Sequence, residues 1–241
     1  MRHGIIVIAT DHPGNMTGDS SADGMMRIWE RPKDLVFALD QLLKQSDFQK
    51  RLDVSRVAAA GHSAGGTTAL LLGGARLSSS RFTSPIPLCE GSKDPYFAKT
   101  CTELKAIDLK KYPKDAVDGN YHDPRVTAVV GFDPGMAQSF EPSTLKNMKP
   151  KTWLFIADKL NAPQDQIHSK DFIGMMPANA TQVVPNSYHM TFLQACKPGI
   201  PLDDPELKEL CLNTEEKIRI QNDVAKKTLE FFEKVWNEKP L

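Results

Sequence analysis

Residues Val57-Ala58-Ala59-Ala60-Gly61-His62-Ser63-Ala64-Gly65-Gly66 join a short apolar run to a helix-forming stretch through the pattern G-x-S-x-G. A serine hydroxyl is a weak nucleophile until a neighbouring base takes its proton, so the pattern matters only where the backbone presents the hydroxyl correctly. A tight strand-to-helix turn does so. It holds Ser63 in strained geometry at the carboxyl end of a strand and aims a helix N-terminus at the reacting atoms. Gly61 and Gly65 are expected to be small so that neighbouring backbone can approach, and the Ala64 amide is the expected oxyanion-hole donor.

The elements that must position this turn can be read from hydrophobic period. Five short apolar runs read as strands: Gly4 to Thr10, Arg56 to Ala60, Val126 to Phe132, Thr152 to Ala157 and Thr181 to Val184. Runs that are apolar on both alternating faces belong to buried parallel strands. Helices are predicted over Pro32 to Gln45, Gly65 to Leu77, Asp165 to Met175 and Thr214 to Asn237. The last carries Ile220, Val224, Thr228, Phe231 and Val235 at helical spacing. Strand and helix in alternation predict an α/β fold: a mostly parallel sheet with helices on both faces, residues 1–241 forming one domain. Residues 78–124 break the rhythm and are too long for an ordinary connection, so they read as an inserted cap or lid.

Beyond Gly61-His62-Ser63-Ala64-Gly65-Gly66, the chain contains Asp11-His12-Pro13-Gly14, Arg31-Pro32-x-Asp34, Leu52-Asp53, Asp123-Pro124-Arg125-Val126 and His189-Met190-Thr191-Phe192-Leu193 followed by Cys196. Together these resemble the dienelactone-hydrolase-like branch of the α/β-hydrolase superfamily that includes platelet-activating-factor acetylhydrolases. The resemblance implies a serine esterase with a Ser/Asp/His triad. True dienelactone hydrolases use cysteine where this chain has Ser63. In that fold the triad runs serine, acid, histidine along the chain. Of six histidines, His168 and His189 lie well beyond the elbow in the C-terminal third, and His189, after the last strand, stands where the resemblance puts the general base. His168 falls in a helical stretch. His62 is expected to pack beside the nucleophile. The acid is Asp133, after the strand Val126 to Phe132, or alternatively Asp158, after the strand Thr152 to Ala157, where Leu160 aligns with the acid of the commoner superfamily position.

The resemblance also predicts a gap. The family begins with further strands and a His-Gly-rich loop that supplies a second oxyanion donor, whereas this chain starts at Met1-Arg2-His3-Gly4. The sheet is therefore expected to lack its N-terminal strands and to expose an edge through which the chain would self-associate. If the second donor came from within the chain, the loop Asp11 to Asn15 would supply it. The competing reading is a non-catalytic or weakly active binding protein with an incomplete oxyanion hole.

Composition sets the outer bounds. In 241 residues, 30 Lys plus Arg balance 30 Asp plus Glu, so nothing recommends nucleic acid or an acidic membrane as partner, and the apolar runs fall far short of a membrane span. A small-molecule ester is the expected partner. No H-E-x-x-H, paired C-x-x-C or G-x-x-x-x-G-K occurs, so no cofactor and no metal are expected. Trp29 and Met25-Met26 read either as acyl-pocket lining or as core. Cys89 and Cys101, and Cys196 and Cys211, each bracket a short segment, the spacing of two local disulfides. Such pairs would place the protein in the periplasm or outside the cell, although no signal peptide precedes the first strand.

Overall fold

The computed structural model describes residues 4–16, 19–82, 102–159, 169–194, 211 and 214–237. Four parallel strands form the main sheet in sequence order: β1 (Val57–His62), β2 (Val126–Phe132), β3 (Lys151–Ala157) and β4 (Thr181–Val184). Their bounds match the apolar runs, with β1 extending two residues further, directly into the elbow. The C-terminal ends of β1 and β2 are level, His62 facing Phe132, while β3 runs on past Phe155, which faces Phe132, to Ala157. Loops leaving β1 and β2 therefore emerge side by side.

Because side chains alternate along a strand, each strand feeds two cores. Val129, Leu154 and Ile156 pack on one face with Ala69 to Leu72 of helix α2 (Ala64–Leu72). Ala128, Val130 and Phe155 pack on the other with Ile220, Val224 and Phe232 of the C-terminal helix (Thr214–Asn237). The result is helix, sheet and helix in layers, an α/β fold. Each fully buried aliphatic side chain stabilises these layers by about 1.5–3 kcal/mol. Helix α1 (Arg31–Leu43) begins with Pro32 in its first turn, where the missing N–H costs nothing. Helix α2 ends five residues before its predicted end, at Gly73-Gly74, because Gly74 takes a positive φ of 100° that reverses the chain.

The predicted strand Gly4 to Thr10 is not one. Residues 4–10 form no ladder, and Val7 is 83% exposed, so β1 is the sheet's edge among the described residues. An apolar run becomes a strand only when a neighbour takes its backbone groups, and periodicity cannot reveal that neighbour. Ile5 and Ile8 instead line a cavity of about 280 Å³ beside β1, together with Leu35 and Leu39 of α1 and with Leu52 and Val57.

Of the predicted cap, 83–101 lie outside the described residues. The remainder folds onto the body, with Leu104, Tyr112 and Val117 buried in the core and the Trp29 ring edge-on to Phe82 and Tyr112. Trp29 and Met26 are thereby core residues, and Met25 is exposed. The predicted helix Asp165 to Met175 falls partly outside the described residues, as does His168. A 3-10 turn (Ser169–Asp171) followed by a short helix (Phe172–Met175) occupies its described end. Cys211 is buried and is not a free thiol, while Cys89, Cys101 and Cys196 lie outside the described residues. No helix among the described residues is long and apolar enough to cross a membrane.

Candidate active site

Ser63 stands between β1 and α2 with φ 53° and ψ −120°, a conformation that a non-glycine residue adopts only where its surroundings impose it. Three contacts do so. Its amide donates to the Phe132 carbonyl at 3.0 Å, and its carbonyl accepts from the amides of Thr67 at 3.0 Å and Gly135 at 3.4 Å. The two elbow glycines have different reasons. A Cβ on Gly61 would lie 2.3 Å from the carbonyl carbon of Gly65, so only glycine lets the two backbones pass, whereas a Cβ on Gly65 would meet nothing within 4 Å. The predicted need for a small residue thus holds for Gly61 and fails for Gly65, which supplies the backbone being approached. Ala64 is the first residue of α2, and the amides of a first turn lack intrahelical acceptors, so its N–H is available to an oxyanion.

Asp133 follows β2 and also has a positive φ, 45°. It is 2% exposed, yet every bond it makes favours a carboxylate. Oδ1 accepts from the Ala157 amide at 2.8 Å, Oδ2 stands 2.7 Å from His189 Nδ1, and the Ser169 side chain donates to the same carboxylate. Burial alone would raise its pKa. The bonds from His189, Ser169 and Ala157 and the attraction of the imidazole outweigh burial and hold the carboxyl below its ordinary value.

His189 opens a 3-10 turn (His189–Phe192) after β4 and is 7% exposed. Nδ1 is committed to Asp133, which leaves Nε2 as the other ring nitrogen; among the described residues no hydrogen bond joins it to Ser63. The ring lies 4.3 Å, centroid to centroid, from that of His62, the residue next to the serine. The same turn is tied to the C-terminal helix by Gln221, whose amide donates to the carbonyls of Thr191, at 2.9 Å, and Leu193.

Asp158, the alternative acid, does not meet His189 in the described contacts. Its carboxylate accepts from the Asn186 amide at 3.4 Å and its carbonyl from Lys170 Nζ at 2.5 Å, so it braces a turn. The loop Asp11 to Asn15 has two amides already engaged: Gly14 donates to Asp19 Oδ2 and Asn15 to the His12 carbonyl, both at 2.9 Å. Neither is available to an oxyanion. The motif residues around that loop bind one another. His12 Nδ1 meets Asp34 Oδ2 at 2.7 Å, and Arg31 donates to Asn15 Oδ1 at 2.6 Å and to Thr68 Oγ1 at 3.0 Å, tying loop, α1 and α2 together.

Ser169 and Gln221 were not legible as site residues. Each is an ordinary polar residue whose role exists only once β2, β4 and the C-terminal helix converge. Among the described residues, no group of three or more His, Cys, Asp or Glu is placed to hold a metal ion. Comparison with known proteins finds no protein-family model, curated protein or solved structure that matches the chain.

Proposed function

We propose that the protein is a serine carboxylic ester hydrolase of the α/β-hydrolase fold, acting through an acyl-enzyme on short or medium acyl esters. The observation that carries the reading is the buried Asp133–His189 pair beside a strained serine, all at the carboxyl edge of one parallel sheet. Ser63, Asp133 and His189, distant in sequence, follow three strands of that sheet, and we read them as nucleophile, orienting acid and base.

In the first half-reaction the Ser63 hydroxyl oxygen attacks the ester carbonyl while its proton passes to His189 Nε2. Asp133 holds the ring in the Nδ1–H tautomer and stabilises the imidazolium that forms. The carbonyl oxygen becomes an oxyanion facing the Ala64 amide. As the intermediate collapses, the bond to the alkoxy oxygen breaks, and His189 returns the proton to the departing alcohol. Water repeats the sequence on the acyl-enzyme, releasing the acid and restoring Ser63.

The second reading, a weakly active or non-catalytic binding protein of the same fold, is favoured by one observation: the amides of Gly14 and Asn15 are spent within their own loop. A missing oxyanion donor costs about 3 kcal/mol of transition-state stabilisation, more than a hundredfold in rate. Hydrolysis of p-nitrophenyl butyrate separates the two. Turnover that disappears in Ser63→Ala supports the esterase; turnover at the level of that variant supports the binding protein. An oxidising compartment belongs to the proposal and rests on the expected pairs Cys89–Cys101 and Cys196–Cys211. Peptide mapping without reductant that finds four free thiols would remove it.

A further inference from the structure

We infer that His62 is a positioning residue for the general base: its imidazole, next in sequence to Ser63, binds the backbone carbonyl of His189 and lies tilted against that residue's ring. The inference rests on the esterase reading and assigns a role within that site. His62 Nε2 lies 2.9 Å from the His189 carbonyl oxygen, a contact between residues 127 apart in sequence. The ring planes are 40° apart with centroids 4.3 Å from each other, and Phe192 closes a further side at 6.2 Å.

The need for such a tether follows from how His189 is held. Asp133 fixes Nδ1 and so the direction of the ring, but a side-chain bond does not fix the backbone from which the ring hangs. Gln221 holds the far end of the turn, at Thr191 and Leu193. The near end, at His189 itself, is held by His62. Ser63 and His189 reach the site on separate loops, and proton transfer between them requires hydrogen-bond reach. A contact from the serine's own neighbour to the base's own carbonyl sets that distance by the shortest covalent route.

The chemistry of His62 suits the task. A carbonyl can only accept, so Nε2 must carry the hydrogen, which determines the tautomer. Burial, reinforced by the charge of His189 and by Lys217 and opposed by Asp133, brings its pKa down to about 3. His62 therefore stays neutral while His189 is protonated in the reaction and does not compete for the proton.

The test uses His62→Phe, which keeps a ring and loses the donor, and His62→Gln, which loses the ring and keeps a donor at similar reach. With p-nitrophenyl butyrate, H62F should lower kcat by about 10- to 100-fold at little-changed KM, the cost of a base displaced by a fraction of an ångström to an ångström. H62Q should recover most of that loss. Wild-type kcat in H62F, or equal losses in both variants, would overturn the inference. Long-range proton–nitrogen spectra of the wild-type protein decide it independently of activity and of how the variants fold. His62 should appear neutral with hydrogen on Nε2 at pH 5; a hydrogen on Nδ1, or a protonated ring, would overturn the inference. Absence of Ser63-dependent turnover in the wild-type protein would instead sink the esterase reading, and the spectra would still settle the His62 contact.

Discussion

Asp133 must stay charged while almost wholly out of water, and three donors make that possible. Its replacement by Asn removes the acceptor that holds His189 in the working tautomer, so Asp133→Asn should lower kcat on the order of 10⁴-fold and change KM far less. Asp158→Asn should leave kcat within a few-fold of wild type, because its carboxylate braces only the Asn186 turn. Steady-state kinetics on both variants check this. Acid should weaken the fold through His62 as well. Its folded pKa of about 3 lies below the ordinary 6.5, so between those values the unfolded chain binds a proton that the folded one refuses. The associated stability is fully present above about pH 6.5 and is lost as pH falls toward 3. The depressed carboxyl of Asp133 adds a second loss below its ordinary value of 3.8, as pH falls through the folded pKa. Urea unfolding at successive pH values should show a shallower decline from pH 6.5 to 4 in H62F than in the wild type. Ser63, Asp133 and His189 can be singled out in the sequence because each follows a readable strand, and the structure joins His189 to Asp133 rather than to Asp158. Ser169, Gln221 and the His62 tether cannot be singled out that way, since side-chain partners across loops leave no periodic trace.

At the level of elements, the elbow works because β1, the turn and α2 tolerate almost no volume at Gly61. Gly61→Ala places a methyl 2.3 Å from the Gly65 carbonyl carbon, a clash that only backbone movement relieves. It should cost several kcal/mol or prevent folding, while Gly65→Ala should fold with near wild-type stability. Thermal unfolding of the pair distinguishes the two glycines, which look alike in the motif. The strands β2 and β4 and the C-terminal helix were readable to the residue because both faces of the strands and one stripe of the helix are apolar. The helix stripe extends beyond Ile220, Val224, Phe231 and Val235, with Phe232 and Trp236 packed in the same cluster. Residues 4–10 are apolar yet form no strand, because β propensity describes a side-chain surface and a strand also needs a backbone partner.

At the scale of the whole molecule, the outer edge of β1 has no strand partner among the described residues. Its outer neighbours in α1 are only partly covered, Phe37, Val54 and Val7 are exposed, and residues 5–8 line the cavity beside it without forming a ladder. Unpaired strand edges flanked by apolar side chains pair with other chains. Sedimentation velocity should therefore show association that rises with concentration in the wild-type chain and falls when Val7→Lys puts a charge on that edge. A monomer at all concentrations would contradict this. Active-site labelling tests the central claim most directly. A fluorophosphonate reacts with a serine only where a base has activated it, and peptide mapping locates the adduct. The account predicts stoichiometric labelling of the folded protein at Ser63, abolished in Ser63→Ala and strongly slowed in Asp133→Asn; folded protein that stays unlabelled at Ser63 would contradict it.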